Sequence, residues 1–140
     1  GHAAAVERAI NAAKEAGAKR ALPLPVSVPS HCSLMKPAAE KLAEALQSVK
    51  IDRPKIRVIH NADVASYDDA EKIKDALVRQ LYSPVRWTET VNALVSDGLT
   101  ESAECGPGKV LAGLAKRINK EAVCTALTNI EQVTAFVETH

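Results

Sequence analysis

The sequence predicts an α/β fold with a largely parallel sheet, and three observations lead there. Short β-rich apolar runs alternate along the chain with longer stretches of helical periodicity. The joints between them carry proline, glycine or capping residues where a helix must begin or stop. The composition also suits one domain: 140 residues, 46% apolar, with one Trp, two Tyr and one Phe, so that packing rests on Ala, Val, Leu and Ile.

Each element has its own reason. Residues 3–16 place Ala5, Val6, Ala9, Ile10 and Ala13 on one helical stripe, and Gly17 is positioned to end it. Ala21–Val28 reads as a strand. Pro23 and Pro25 each remove a donor from it, which puts part of it at a sheet edge or an irregularity. From about 33 to 49, Leu34, Ala38, Leu42, Ala45, Leu46 and Val49 recur with helical period, and Pro37 is tolerable only in that helix's first turn.

Ile56–Ile59 is a short strand of the buried type, ending at His60-Asn61. Asp68 or Asp69 caps the next helix, with Glu71 spaced to close a capping box on Asp68; Ile73, Leu77 and Leu81 form its apolar face and Ser83-Pro84 ends it. A further helix runs from about Thr88 to Asp97 and stops at Gly98. Ser102–Cys105 reads as a strand feeding Gly106-Pro107-Gly108, followed by a helix through Val110, Leu111, Leu114 and Ile118. Ala122–Leu127 is a last strand. Thr128 with Glu131 forms a second capping box, opening a terminal helix through Val133, Phe136 and Val137.

Composition excludes several function classes. Eighteen Lys+Arg against 17 Asp+Glu leave a net charge of +1, which argues against a bulk nucleic-acid binder. No apolar stretch approaches the roughly 20 residues needed to span a bilayer, so no membrane role is expected. Cys32, Cys105 and Cys124 make an odd count without CxxC spacing; they are expected as small buried hydrophobes in a reducing compartment. The four histidines show no HxxxH or HxxE pairing, so no metal site is expected. No signal peptide is expected. Gly1-His2 runs straight into a helical pattern without an initiator Met, which reads either as a tag scar or as a piece excised from a longer chain.

The most informative run is LPLPVSVPSHCSLMKPAAEK at 22–41. Its apolar segment stops at Pro29, Ser30 and His31 follow, and a helical pattern begins. His31 is therefore expected on a short turn at a strand's end, where open α/β sheets collect ligands and catalytic groups. On residue type alone, a lone histidine is more often structural or merely exposed. No nucleophile accompanies it: there is no GxSxG, and Ser27, Ser30, Ser33 and Cys32 lie outside any glycine-flanked elbow. Cys32 beside His31 invites a Cys–His dyad, but adjacent strand-end residues project in different directions.

Two other features carry weaker signals. Gly106-Pro107-Gly108 opening a helix suggests anion binding, yet GPGKVL is neither GxGxxG nor GxxxxGK[ST], and a tight strand-to-helix turn is the commoner reading. Lys19-Arg20 and Lys116-Arg117 are dibasic pairs, the second placed to complement a helix dipole.

Three blocks carry a resemblance: GAKRALPLPVSVPSHCSLMKPAAEKL at 17–42, DALVRQLYSPVRWTETV at 75–91 and ECGPGKVLAGLAKRI at 104–118. In order and spacing they closely resemble the bacterial malonyl-CoA:acyl carrier protein transacylases, members of the acyltransferase family, and the likeness runs from Gly1 to His140. That resemblance implies the back portion of an α/β-hydrolase-like acyltransferase core with part of an inserted ferredoxin-like subdomain. Residues 1–28 would be the end of that subdomain and 29–140 the C-terminal part of the core. The oxyanion loop, the GHSxG elbow with its nucleophilic serine and the arginine for the malonyl carboxylate would lie in a preceding portion of the same enzyme.

The implied reaction moves malonyl from coenzyme A to the phosphopantetheine thiol of acyl carrier protein, in the cytoplasm, with no cofactor. The alternative is a catalytically incomplete fragment that only binds acyl carrier protein. His31, in the quartet Val28-Pro29-Ser30-His31, matches the family's general base, and an imidazole suits both proton transfers near neutral pH. Gln80 matches the residue whose main-chain carbonyl holds the other ring nitrogen, the task Asp performs in a Ser-His-Asp triad. Asn61 matches a supporting, substrate-side position. The residue before it is His60, where some relatives carry Asn. Lys116 and Arg117 match basic positions that dock the acidic carrier protein, and Lys19 and Arg20 would extend that patch. The quartet's form accords with malonyl as the acyl group.

Overall fold

Two parallel strands, β1 (Glu101–Cys105) and β2 (Val123–Leu127), make up the one sheet found among residues 1–139, the residues described by this computed structural model. Glu101 faces Val123 in register and Cys105 faces Leu127. Parallel strands need a long crossover, and α5 (Val110–Ile118) supplies it. Before β1 comes α4 (Trp87–Ser96), and after β2 comes α6 (Ile130–Thr139). Val91, Ala115 and Ala122 form the buried centre here, with Trp87, Val95, Ile118 and Cys124 against it.

These elements belong to a compact unit that begins at Arg86; a separate unit spans Gly1–Val85. In the first unit α1 (Ala3–Glu15) ends as its sequence demands. Gly17 takes φ +91°, its N–H donates to the Lys14 carbonyl and that of Ala18 to Ala13, which closes the helix end. A 3₁₀ turn over Ser33–Met35 leads into α2 (Lys36–Gln47), with Pro37 in its first turn. Helix α3 (Ala70–Arg79) packs on α2, and Ala39 and Ala76, 2% and 1% exposed, lie fully inside.

The α/β class and all the expected helices are present. The sheet, however, is smaller than the sequence suggested. Ala21–Val28 pairs with nothing among the described residues. Instead Val26 N–H donates to the Leu24 carbonyl and Ser30 N–H to Val28, each across a proline, and a proline's fixed φ suits such three-residue turns. Leu24 and Val26 are consequently 76% and 72% exposed. Ile56–Ile59 likewise forms no strand; an isolated antiparallel bridge between His60 and Ala65 is the only pairing nearby.

Both capping boxes form differently from expectation. Asp69 caps α3, accepting from Lys72 N–H at 2.9 Å, while Asp68 pairs with Arg53 and Glu71 with Lys74. At α6, Asn129 accepts from Gln132 N–H, and the Gln132 amide oxygen reaches back to the Thr128 N–H and hydroxyl. Asn and Asp outrank Thr as caps, and each sits directly before its helix. None of the three cysteines is fully buried: Cys32 and Cys124 are half-buried, and Cys105, at the end of β1, is exposed.

Candidate active site

His31 stands at the exit of the turn around Pro29, in a left-handed backbone conformation with φ +61°. That conformation is costly for a residue with a Cβ. It is held by a hydrogen bond from His31 N–H to the Leu81 carbonyl at 2.9 Å. From there the ring meets the turn that follows α3. Nδ1 lies 3.1 Å from the Gln80 carbonyl oxygen and 3.1 Å from that of Ser83. Carbonyl oxygens only accept, so Nδ1 must carry the proton and Nε2 is left as the ring's basic nitrogen. The ring itself is exposed.

The turn that grips His31 is shaped by its own chain. Tyr82 and Ser83 both donate their N–H groups to the Arg79 carbonyl. A proline disfavours helical backbone in the residue before it, so Pro84 keeps a helix from continuing through Ser83. Lys36, at the start of α2, sits 5.9 Å over the Tyr82 ring. Beside His31, the Cys32 thiol donates to the Pro29 carbonyl; the Leu34 N–H holds its pKa below the ordinary thiol value.

Asn61 lies in a tight turn closed by the His60–Ala65 bridge, in which Val64 takes φ +56°. Its amide oxygen is buried without a hydrogen-bond partner. The His60 ring is buried against Tyr67, with centroids 5.5 Å apart. From the same turn Asp63 reaches Arg79. The carboxylate takes both guanidinium Nη groups, Nη2 at 2.8 Å, and also accepts from the Tyr67 hydroxyl at 3.2 Å. Arg79 Nε donates to Asp75 at 2.6 Å. Hydrogen bonding to Arg79 holds the Asp63 carboxyl below its usual range; Asp63 first and then Asp75 raise the guanidinium's pKa further.

Among the predicted site residues, then, His31 and Gln80 are in direct contact, and Asn61 sits in a neighbouring turn. Lys19 and Arg20 are exposed just beyond α1 in the first unit; Lys116 and Arg117 are exposed in the last turn of α5 in the second. A groove of about 1010 Å³ lies between α1 and residues 22–34, lined by Val6, Ile10, Leu24, Val26 and Leu34; His31 is not part of its lining. The second unit has a smaller apolar cavity, about 220 Å³, containing none of these residues.

Sequence reasoning did not find Leu81, Ser83, Arg79 or Asp63. The signal for Ser83 was present in the proline after it, and Arg79 adjoins Gln80 in the quoted DALVRQ run. Asp63 has no local signal. The Gly106-Pro107-Gly108 turn is also settled: the Glu104 carboxylate accepts from the Leu111 and Ala112 N–H groups at 3.1 and 2.8 Å. The chain's own anion already takes donors of that helix start. No cluster of three or more His, Cys, Asp or Glu placed for a metal occurs among the described residues, and no described helix is long and apolar enough to cross a membrane.

Comparison with known proteins adds an independent observation. No family model matches the chain. It is 55% identical over 138 residues to a malonyl CoA-acyl carrier protein transacylase of Haemophilus influenzae, covering 99% of this chain and 44% of that protein. The enzyme of the same name from Bacillus subtilis is 45% identical over 139 residues, again 99% of this chain and 44% of the relative. Among solved structures, a malonyl-transacylase in complex with a type II polyketide synthase acyl-carrier protein superposes with a TM-score of 0.96 at 51% identity, over 100% of this chain and 45% of that one. The acyl-carrier-protein S-malonyltransferase of Burkholderia pseudomallei gives 0.92 at 51% identity, over 99% and 45%. The chain thus spans less than half the length of the relatives it matches. In sequence and in fold it is like one portion of a malonyl CoA-acyl carrier protein transacylase, a likeness that extends over essentially all of its residues.

Proposed function

We propose that this chain is the base-bearing, C-terminal portion of an acyltransferase that moves malonyl from coenzyme A to the phosphopantetheine thiol of acyl carrier protein. The observation that carries the proposal is the clamp on His31: two carbonyl oxygens at 3.1 Å hold Nδ1–H and leave Nε2 basic. A serine from the preceding portion loses its proton to Nε2 as its oxygen attacks the thioester carbon. Collapse of the tetrahedral adduct breaks the C–S bond, and the coenzyme A thiolate takes that proton from the imidazolium. In the second half, the carrier protein's thiol gives its proton to Nε2, attacks the malonyl ester, and the serine oxygen leaves as the hydroxyl, protonated by the same nitrogen.

In this reading Gln80 acts through its main-chain carbonyl, so its side chain is replaceable. The buried, unpartnered amide oxygen of Asn61 supports a substrate-side role. Residues 1–28 are the end of the inserted subdomain and 29–140 the rest of the core. The reaction takes place in the cytoplasm and needs no resident cofactor. Lys116 and Arg117, with Lys19 and Arg20, dock the acidic carrier protein, chiefly by speeding encounter.

The test is made in the full-length protein that contains this sequence. His31→Gln lowers malonyl transfer by about 10²- to 10⁴-fold, the usual share of general base catalysis. Near-parental turnover in that variant rejects the proposal. Gln80→Ala, in contrast, retains most activity. The alternative, a portion that only binds carrier protein, predicts salt-sensitive binding by these 140 residues with no acylated residue in them; exposed basic pairs favour that part of the reading.

A further inference from the structure

We infer that Arg79, anchored by Asp63, is a positioning residue for the His31 base. The inference rests on the assignment of His31 as base and goes beyond it. Four observations converge on Arg79. It is the last residue of α3, and the next four residues supply every carbonyl that touches His31: Gln80 and Ser83 to the ring, Leu81 to the backbone. Its own carbonyl accepts from Tyr82 and Ser83, so it sets the path of that turn from inside. Its guanidinium is fixed from both sides, by Asp63 through two Nη groups and by Asp75 through Nε. Finally, Asp63 is itself immobilised, since its side chain is 13% exposed, bonded to Tyr67, and mounted on the turn closed by His60 and Ala65.

A planar guanidinium gripped at three nitrogens has little rotational freedom, and a carboxylate pairing at two of them fixes direction as well as distance. The pair therefore ties the end of α3 to the 60–65 turn. Release of that tie lets the 80–83 carbonyls drift, and His31 then loses the two acceptors that keep the proton on Nδ1. A mixture of tautomers wastes the fraction in which Nε2 carries the proton. Arg79 touches no reacting atom; it works through Gln80 and Ser83.

The experiment uses the full-length protein and reads two quantities, steady-state malonyl transfer and the nitrogen NMR signature of the His31 imidazole, assigned with His31→Asn. Arg79→Met is expected to lower kcat by about 10- to 100-fold, the usual effect of misplacing a catalytic group by about 1 Å, with KM for malonyl-CoA little changed. Its His31 signals move from a single Nδ1–H tautomer to a mixture. Asp63→Asn shows the same change in smaller degree, and Arg79→Lys, which keeps charge but not the fork, lies between parent and Met.

Parental kcat with one tautomer in Arg79→Met overturns the inference. So does a lower kcat with the tautomer unchanged, because the loss is then structural. If Arg79→Met does not fold, Asp63→Asn decides on the same readouts. Failure of both to fold assigns the pair to stability and likewise rejects positioning. Should His31→Gln keep full turnover, the functional assignment fails while the tautomer measurement still reports on the clamp.

Discussion

At His31 a residue pays with strain for orientation: φ +61° costs an L-residue about 1–2 kcal/mol, offset here by three hydrogen bonds to main-chain oxygens. The position of the histidine was legible in the sequence, because a proline-ended apolar run leading into a helix marks a turn. The partner carbonyls were not, since every residue carries one and side-chain identity says nothing about where it points; Gln80 emerged from a resemblance, and Ser83 only from coordinates. Asp63 escaped notice because its partner lies sixteen residues away, beyond any helical or turn spacing. Its electrostatics give a prediction. Arg79 depresses the folded-state pKa of Asp63, so the stabilisation is complete above the unfolded carboxyl value of about 3.9 and is lost as pH falls through the lower folded value. Asp63→Asn should therefore be less stable than the parent by about 1–2 kcal/mol at pH 7, between the values for surface and buried pairs, with the gap closing in acid. Urea unfolding of the full-length pair at pH 7 and pH 3 measures it; an equal gap at both values contradicts the argument.

Helices and strands differ in how far their information reaches. Every expected helix appears within a residue or three of its predicted ends, because period, caps and stops all lie inside or beside the element. Gly98, for example, takes φ +93°, and Leu99 N–H closes back to the Leu94 carbonyl, as the end of α4 required. Strands need a partner from elsewhere. Residues 101–105 and 123–127 find each other across α5, whereas 21–28 and 56–59 have suitable composition and no neighbour among the described residues. Composition reports what a segment can bury; it does not report what will cover it. At the start of α5 the helix is capped by a residue of β1, which no local pattern announces. Replacing Glu104 with Ala strips acceptors from the Leu111 and Ala112 N–H groups and should cost about 1 kcal/mol, the usual value of a lost cap. A Glu104→Gln variant retains an acceptor and should recover part of the loss in the same thermal unfolding measurement.

Across the whole molecule, ample apolar content coexists with a sparse interior. The sequence is 46% apolar, yet among the described residues the buried hydrophobics are Ala39, Ile73, Ala76, Val91, Ala115, Ala122 and Leu127, four of them alanines. Leu22, Leu24, Val26, Ile56 and Val58 lie more than half exposed. Exposed apolar side chains in such number favour association. These 140 residues alone are expected to self-associate and to bind a hydrophobic dye, and the full-length protein to do neither; a sharp monomer of the short chain in sedimentation contradicts this. Charge works at the same scale. On the proposed docking role, Lys116→Glu with Arg117→Glu in the full-length protein should slow carrier-protein association about 10-fold or more at low salt, with the difference shrinking as ionic strength rises.

The double grip on Nδ1 has one more consequence. Both oxygens are satisfied by the same hydrogen whether the imidazole is neutral or cationic, so charging the ring breaks no bond behind it and asks for no flip. In the proposed reaction every proton would then pass through a single nitrogen, and the forward and reverse directions would run along one path, as microscopic reversibility requires.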